Sequence, residues 1–468
     1  MRRLGVVIVA AVALVGAAAC SSGSKSASTS TSETRDTTTT SSGAGVPTTA
    51  PSSGSAPLWP TYHRTNDRNG LVPGFPAPTR LPRAWNVKLD GAVYAQPVVV
   101  GDQVIVATEN DTVYALDVSS GAQRWMRHLA SPIRQSDLPC GDIDPLGITG
   151  TPAYDDATRS MFVVTETAGG RHDLYALDPT NGATRFTRNL DVTNRDPRAE
   201  QQRAALLVAN GRVYVAFGGL FGDCGNYVGY VTALATDGSG TITHYEVPTS
   251  REGGIWAASG PAAAADGTIY VAVGNGASTG GSYDGSDSVL RLAPDLSRRL
   301  DFFAPSNWGS ENAQDADLGS TGPLLVPGNR VLIGGKGSQV YLLDASRLGG
   351  IGGQLSTVNG CRSFGGMAFD AGAAFVPCSD GVLRVDVQPG RITRSWQARG
   401  ISGSPVVGGG EVWTLDTSSG VLHALDEATG HERASASVGD VTRFASPVLA
   451  GGRVVVGTTG GVVALTVQ

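Results

Sequence analysis

An all-β chain folded as an eight-bladed propeller, each blade a four-stranded antiparallel sheet, is predicted by three observations. The 468 residues include 64 Gly but only 16% charged side chains. With Val and Thr throughout, that balance favours short strands and tight turns over helices. Second, one phrase recurs: "VYALDVSSGAQRW", Val113 to Trp125, is repeated as "LYALDPTNGATRF", Leu174 to Phe186. Third, the two ends hold complementary remnants. The last unit stops at "GGVVALTVQ" with no fourth strand, while "PRAWNVKLD", Pro82 to Asp90, is a fourth-strand pattern with no blade before it. If that ribbon, Ala84 to Leu89, pairs beside Val462 to Val467, the ring closes and both remnants are satisfied.

The repeat defines the units. "YAQPVVVGDQVIVATENDTVYALDVSSG" from Tyr94 sets the order: an apolar run after Pro, a Gly turn, a second run, a third ending in "ALD", then another turn. The same order starts at Ile148, Ser402 and Phe444. Diverged copies span Gln202 to Val247, Gly254 to Pro305, Asp317 to Leu355 and Phe364 to Ala398. Each unit is roughly 40 to 50 residues, the period of propeller blades. A lone sheet with two apolar faces is unstable, so radial packing of the units follows.

The recurring corner has a structural job. Asp117, Asp178 and Asp426 begin a turn in which a carboxylate accepts backbone N–H groups. Gly121, Gly182 and Gly430 permit a positive φ. Trp125, Phe186 and Trp396 supply flat area for docking the next blade, as does Trp85. Ala434 stands where an aromatic is expected.

The first twenty residues, "MRRLGVVIVAAVALVGAAAC", run from Arg2-Arg3 through an apolar core to Ala17-Ala18-Ala19 before Cys20. They resemble a bacterial lipoprotein signal with Cys20 as the lipidated first mature residue; an ordinary secretory signal or a short anchor is the alternative. Either reading exports the protein. Residues 1–19 are thus read as signal, 20–57 as a Ser/Thr-rich tether whose composition cannot bury enough apolar surface to repay its ordering entropy, and 58–468 as the propeller. The tether is a candidate for O-glycosylation. Apart from Cys20 the cysteines are Cys140, Cys224, Cys361 and Cys378, an even number in an exported chain. Three connectivities are open. A hairpin in "GGMAFDAGAAFVPC", turning near Ala371-Gly372, brings Cys378 opposite Gly365 and close to Cys361. Cys361 is therefore paired with Cys378, and Cys140 with Cys224.

"YALDxxxGxxxW" resembles the repeat of the PQQ-dependent quinoprotein dehydrogenases and of their non-catalytic relatives, including the propeller lipoprotein of bacterial outer-membrane assembly. "WPTYHRTNDRNG", Trp59 to Gly70, resembles the lead-in before the first blade of such proteins. "PCGDIDPLGITGTP", "GGLFGDCG" and "YLLDASRLGGIGG" resemble a group of exported actinobacterial PQQ-like propellers. The resemblance implies the fold over about Trp59 to Gln468. It does not carry an activity: catalytic relatives have adjacent cysteines, a calcium held by Glu, Asn and Asp, and a catalytic Asp. This chain has no Cys-Cys pair and no C-x-x-C-H. No catalytic, cofactor-binding or metal-ligating residue is assigned. No cofactor is expected; PQQ with calcium belongs to the alternative of a dehydrogenase acting on an alcohol or sugar.

Other chemistry is sparse. The net charge of −6 argues against nucleic acid. Six histidines form no H-E-x-x-H. "GASTG", Gly276 to Gly280, lacks the strand-turn-helix context of a hydrolase elbow. "SYDGSD", Ser282 to Asp287, and "NAQDADLG", Asn312 to Gly319, read as turn chemistry rather than calcium loops. The middle units carry extra loops at 130–145, 218–227, 276–288 and 304–316, where propellers place function. Arg203, Phe221, Trp256, Tyr283 and Trp308 lie in or beside them. The expectation is a monomeric, lipid-anchored envelope protein on the extracytoplasmic side, acting as a non-catalytic binding or scaffolding module with an envelope protein partner.

Overall fold

The computed structural model describes residues 58–468; the signal, Cys20 and the tether fall outside them. Eight antiparallel sheets follow one another along the chain. Blade 1 is built from Val98–Val100, Gln103–Thr108, Thr112–Asp117 and Gln123–His128. Blades 2 to 7 repeat this four-strand pattern in order, several with an added two-residue strand at an edge. The one α-helix among the described residues is Trp308–Ala313.

Burial explains the composition. The two middle strands of blade 1 are buried on both faces: Val104, Ile105, Val106, Val113, Ala115 and Leu116 have no exposed area. Neighbouring blades cover both sides, so these strands read as continuous apolar runs. The outer strand Gln123–His128 buries Trp125 alone.

Blade 8 is shared by the chain ends. Val448–Ala450, Arg453–Thr458 and Gly461–Thr466 are joined by Arg83–Lys88, with Trp85 opposite Ala464 and Lys88 opposite Gly461. The closing ribbon lies where the remnants require, beginning one residue earlier than expected.

Aromatic corners join the blades. A Cβ on Gly182 would lie 2.7 Å from Trp125 Cε3, so the indole rests on the bare turn of blade 2. Trp125 Nε1 donates to Pro179 O at 2.9 Å. Trp85 meets Gly121, Phe186 meets Gly238 and Trp396 meets Gly430 in the same way. Asp117, Asp178 and Asp426 each accept backbone N–H groups within their turns. Ala434 now has a reason: the turn it would face, between the third and fourth strands of blade 8, is replaced by the chain ends.

The lead-in forms a hub inside the ring. Leu58–Trp59 pairs with the first strand of blade 1. Pro60 O accepts from Tyr154 N in blade 2, and Asn66 Nδ2 donates to Val208 O in blade 3. Asn66 O, Asp67 O, Asn69 O and Gly70 O accept from Ala263, Leu325, Phe369 and Val407 in blades 4 to 7. His63 Nε2 reaches Ser446 Oγ, just before blade 8, at 3.0 Å. One segment thus pairs with inner-edge backbone groups of blades 1 to 7, which would otherwise be orphaned, and reaches the approach to blade 8. Tyr62, His63 and Arg68 are at most 2% exposed, so the axis is filled rather than an open tube.

Both cysteine pairs are bonded, Cys140 with Cys224 and Cys361 with Cys378. The hairpin turns at Ala371-Gly372 with both residues at positive φ. One detail differs from expectation: Cys378 bridges to Ser363, not Gly365. The strand Ala368–Asp370 is short, and Gly365, at φ +93°, bends the chain away before the ladder resumes.

Candidate functional site

In up-and-down blades, the links from second to third strand and from one blade to the next emerge at the same end of the ring. At that end they enclose a cavity of about 590 Å³, a volume suited to a small molecule. The middle-unit loops rim it, and the filled axis closes it below.

The floor is Trp256, on the link from blade 3 to blade 4. Arg203 Cζ is 5.7 Å and Lys336 Nζ 5.6 Å from its ring centroid. Phe444, on the link into blade 8, is 6.2 Å away, and Phe364 is 6.2 Å from Phe444. Arg362 lies over Phe364 at 5.6 Å, and Arg443 over Phe221 at 4.9 Å. Each cation thus stands on an aromatic face, an electrostatically favourable position.

Pairing distinguishes these cations. Lys336 Nζ lies 2.6 Å from Asp315 Oδ1 and also pairs with Asp317. Burial alone would pull Lys336 down, but the two carboxylates outweigh it and hold its pKa above the usual value. Arg443 pairs with Asp142. Arg203 and Arg362 have no carboxylate within 4 Å among the described residues; Arg203 donates only to Gln201 Oε1. Burial lowers the Arg203 pKa, the mark of a partly desolvated cation.

The acidic loops divide in two. Asp284 does turn chemistry, accepting from Ser278 N, Ser286 N and Thr249 Oγ1. Asp287 and Asp317 are instead buried between blades. Asp317 Oδ1 accepts from Asn275 N at 2.5 Å. Asp287 Oδ1 accepts from Leu318 N at 3.0 Å, and Oδ2 has no partner. Burial, then the neighbouring Asp317, pushes the Asp287 carboxyl well above its ordinary range. Among the described residues no group of three or more His, Cys, Asp or Glu is disposed around a metal position.

Of the loop residues singled out from sequence, Arg203, Phe221 and Trp256 line the cavity. Tyr283 and Trp308 do not: Tyr283 stacks on Phe302 at 5.1 Å and meets Trp308 edge-on at 5.1 Å, a packing cluster beside the short helix. Ser278 of "GASTG" donates to Gly280 O and Ser282 O, holding its own loop. Lys336, Arg362, Phe364, Arg443 and Phe444 had no distinguishing signal, and Asp317 was read only as turn chemistry within "NAQDADLG". They are scattered over four links: Asp317 between blades 4 and 5, Lys336 within blade 5, Arg362 and Phe364 between blades 5 and 6, and Arg443 and Phe444 between blades 7 and 8.

A family model described as the outer membrane protein assembly factor BamB matches residues 82–218. No curated protein matches the chain by sequence. Among solved structures, the quinohemoprotein alcohol dehydrogenase of Comamonas testosteroni is similar, with TM-score 0.67 and 18% identity over 87% of this chain and 80% of that one. Quinohemoprotein alcohol dehydrogenase ADHIIG of Pseudomonas putida HK5 gives TM-score 0.70 and 16% identity over 88% and 80%. BamB of Moraxella catarrhalis gives TM-score 0.58 and 18% identity over 82% and 99%. At these identities the likeness is one of fold, shared by dehydrogenases and an assembly factor.

Proposed function

We propose that this chain is a binding propeller of the cell envelope, exported, anchored through a lipid on Cys20 and carried on the 21–57 tether, whose one-ended cavity takes a flat aromatic polyanion. It works as a non-catalytic binding or scaffolding module, offering the same rim of loops to an envelope protein partner. The observation that carries this reading is the pair of guanidinium groups, Arg203 and Arg362, that stand in the cavity without a carboxylate partner. A ligand acid group would complete both with charge-assisted hydrogen bonds, while its ring stacks on Trp256. The test is calorimetric titration with PQQ, a planar tricarboxylate. Binding that is lost in Arg203→Ala and Trp256→Ala supports the reading; no binding to the intact protein overturns it.

The second reading is a PQQ-dependent dehydrogenase acting on an alcohol or sugar. It is favoured by the Asp317–Lys336 pair beside Trp256 and by the dehydrogenases of the same fold. When bound, the quinone would supply the oxidant; Arg203, Arg362 and Lys336 would hold its acid groups. Against this reading, the Asp317 carboxylate is already engaged by Lys336 and Asn275 N. Dye-linked alcohol oxidation with PQQ and calcium discriminates: turnover that is abolished in Asp317→Asn would replace the binding reading with the enzymatic one.

A further inference from the structure

We infer that Glu109 is a proton-operated switch behind the Arg203 anion position: its protonated carboxyl leaves the Arg203 charge to an acidic ligand, and its carboxylate competes with that ligand for the same cation. This rests on the binding reading above. Glu109 directly follows the second strand of blade 1 and is 2% exposed. It does not line the cavity. Its Oε2 accepts from Gly147 N at 2.8 Å and from Thr149 Oγ1 at 3.1 Å, while Oε1 has no partner. Thr149 and Arg203 share the wall of a small void of about 20 Å³, room for about one water. Glu109 therefore acts on Arg203 from behind Thr149, through space, without an ion pair. Among the carboxylates around Arg203 it bears on that charge most strongly, ahead of Asp223 and Glu166.

The groups packed around Glu109 leave it short of cations. Asp111 is fully buried and neither of its oxygens has a partner. Gly147 lies against both acids: a Cβ there would sit 2.5 Å from Glu109 O and 2.9 Å from Asp111 Oδ1. Glu166, buried in blade 2, is compensated by His172, whose Nε2 is 3.4 Å from Glu166 Oε2 and whose Nδ1 is 2.9 Å from Asp191 Oδ1. Tyr94 faces Glu109 from the link into blade 1, with Arg443 and Arg203 also near its hydroxyl. Burial, against the hydrogen bonds from Gly147 and Thr149, raises Glu109 to about 8. Burial and the neighbouring Glu109 raise Asp111 to about 9. Neutral Glu109 thus prevails below about pH 8 and its carboxylate above it. A bound anion disfavours that carboxylate, so binding raises the Glu109 pKa further. By reciprocity the ionised protein binds the anion more weakly, about tenfold for each pKa unit of that rise. The cavity is then an anion site that holds its ligand in mildly acidic surroundings and releases it in alkaline ones.

The test uses the full propeller with PQQ as the probe, whose carboxyls are ionised throughout the range. Calorimetry is run at about pH 6.5 and about pH 9, in buffers of different ionisation heat so that protons taken up on binding are counted. The parent should bind about tenfold more weakly at the alkaline pH and take up a fraction of a proton near the midpoint. Glu109→Gln keeps an acceptor for Gly147 N and cannot ionise. It should match the parent at the acidic pH, hold that affinity at the alkaline one and take up no proton. Thr149→Val removes a hydrogen bond to the charged form, so its fall in affinity should move to higher pH. Equal parent affinity at both pH values overturns the switch and leaves the binding reading standing. A fall in Glu109→Gln as steep as the parent's does the same. A Thr149→Val profile that superimposes on the parent's also overturns it, whatever the stability of Glu109→Gln. If the parent binds no PQQ at the acidic pH, the binding reading falls and the switch with it.

Discussion

Arg68 offers the sharpest test of the hub. It is 1% exposed, and no carboxylate lies within 4 Å of it among the described residues. Its guanidinium donates instead to Pro261 O at 2.9 Å, Thr61 Oγ1 at 2.7 Å, Tyr62 O at 3.0 Å and Leu206 O at 3.1 Å. Burial lowers its pKa to about 10, so the charge costs something to hold, roughly 3 kcal/mol by linkage. Four hydrogen bonds from a charged donor, at about 1.5–3 kcal/mol each, outweigh that. Arg68→Met keeps length and removes every donor. Pro261 O and Tyr62 O are then orphaned at about 1–3 kcal/mol each, and the methionine recovers part of the packing. The expected net loss is about 3–5 kcal/mol, the range for breaking a buried charged network. Urea unfolding followed by tryptophan fluorescence measures it, with half-buried Arg64→Met, expected to cost under about 1 kcal/mol, as control. A loss below about 1 kcal/mol for Arg68→Met would refute the claim that the lead-in ties the blades together.

Three further outcomes are expected. Gly182→Ala should cost about 2–4 kcal/mol, combining a left-handed backbone at φ +71° with the Trp125 clash. Gly452→Ala, at φ +70° with open space around it, should show only the backbone part, about 1–2 kcal/mol. Stability should fall as pH rises from about 5 to 9. Burial raises Glu109 and Glu200 to about 8, and burial with Glu109 and Glu166 raises Asp111 to about 9. Burial pulls His172 down, but Glu166 and Asp191 outweigh it and hold it at about 10. In every case the folded chain keeps a proton that the unfolded chain releases earlier, so rising pH favours unfolding. Melting temperatures across that window should decline, and Glu109→Gln should flatten the decline; a rise would contradict the assignment. Replacing Cys361 and Cys378 by Ala should cost about 3 kcal/mol, and Cys140 and Cys224 about 4.5 kcal/mol, for loops separated by 17 and 84 residues. Denaturation midpoints check the order of the two losses.

The fold was legible because each blade repeats the same local requirements. A carboxylate at Asp117 or Asp178 must cap a turn, a glycine at 121 or 182 must leave room, and an aromatic must cover that glycine. These are short-range rules, and they recur often enough to be read. The closing ribbon was legible because Trp85 lacked a blade of its own. The hub was not: Arg68 and His63 are polar residues in a polar phrase, and only the ring makes them interior. The site was legible in part. Trp256, Arg203 and Phe221 stand out near long loops, whereas Lys336, Arg362 and Phe444 come from separate links and acquire a common role only once eight blades bring them to one end. Tyr283 and Trp308 carried the same signal as Trp256 and proved to be packing partners, since loop aromatics serve both ends.

The most direct measurement is an experimentally determined structure of the protein saturated with PQQ. The account predicts the ring over Trp256, with carboxylate oxygens about 2.7–3.2 Å from the Arg203 and Arg362 guanidinium groups. A ring bound outside the cavity, for instance in the groove between Leu325 and Phe369 at the other end of the blades, would contradict it.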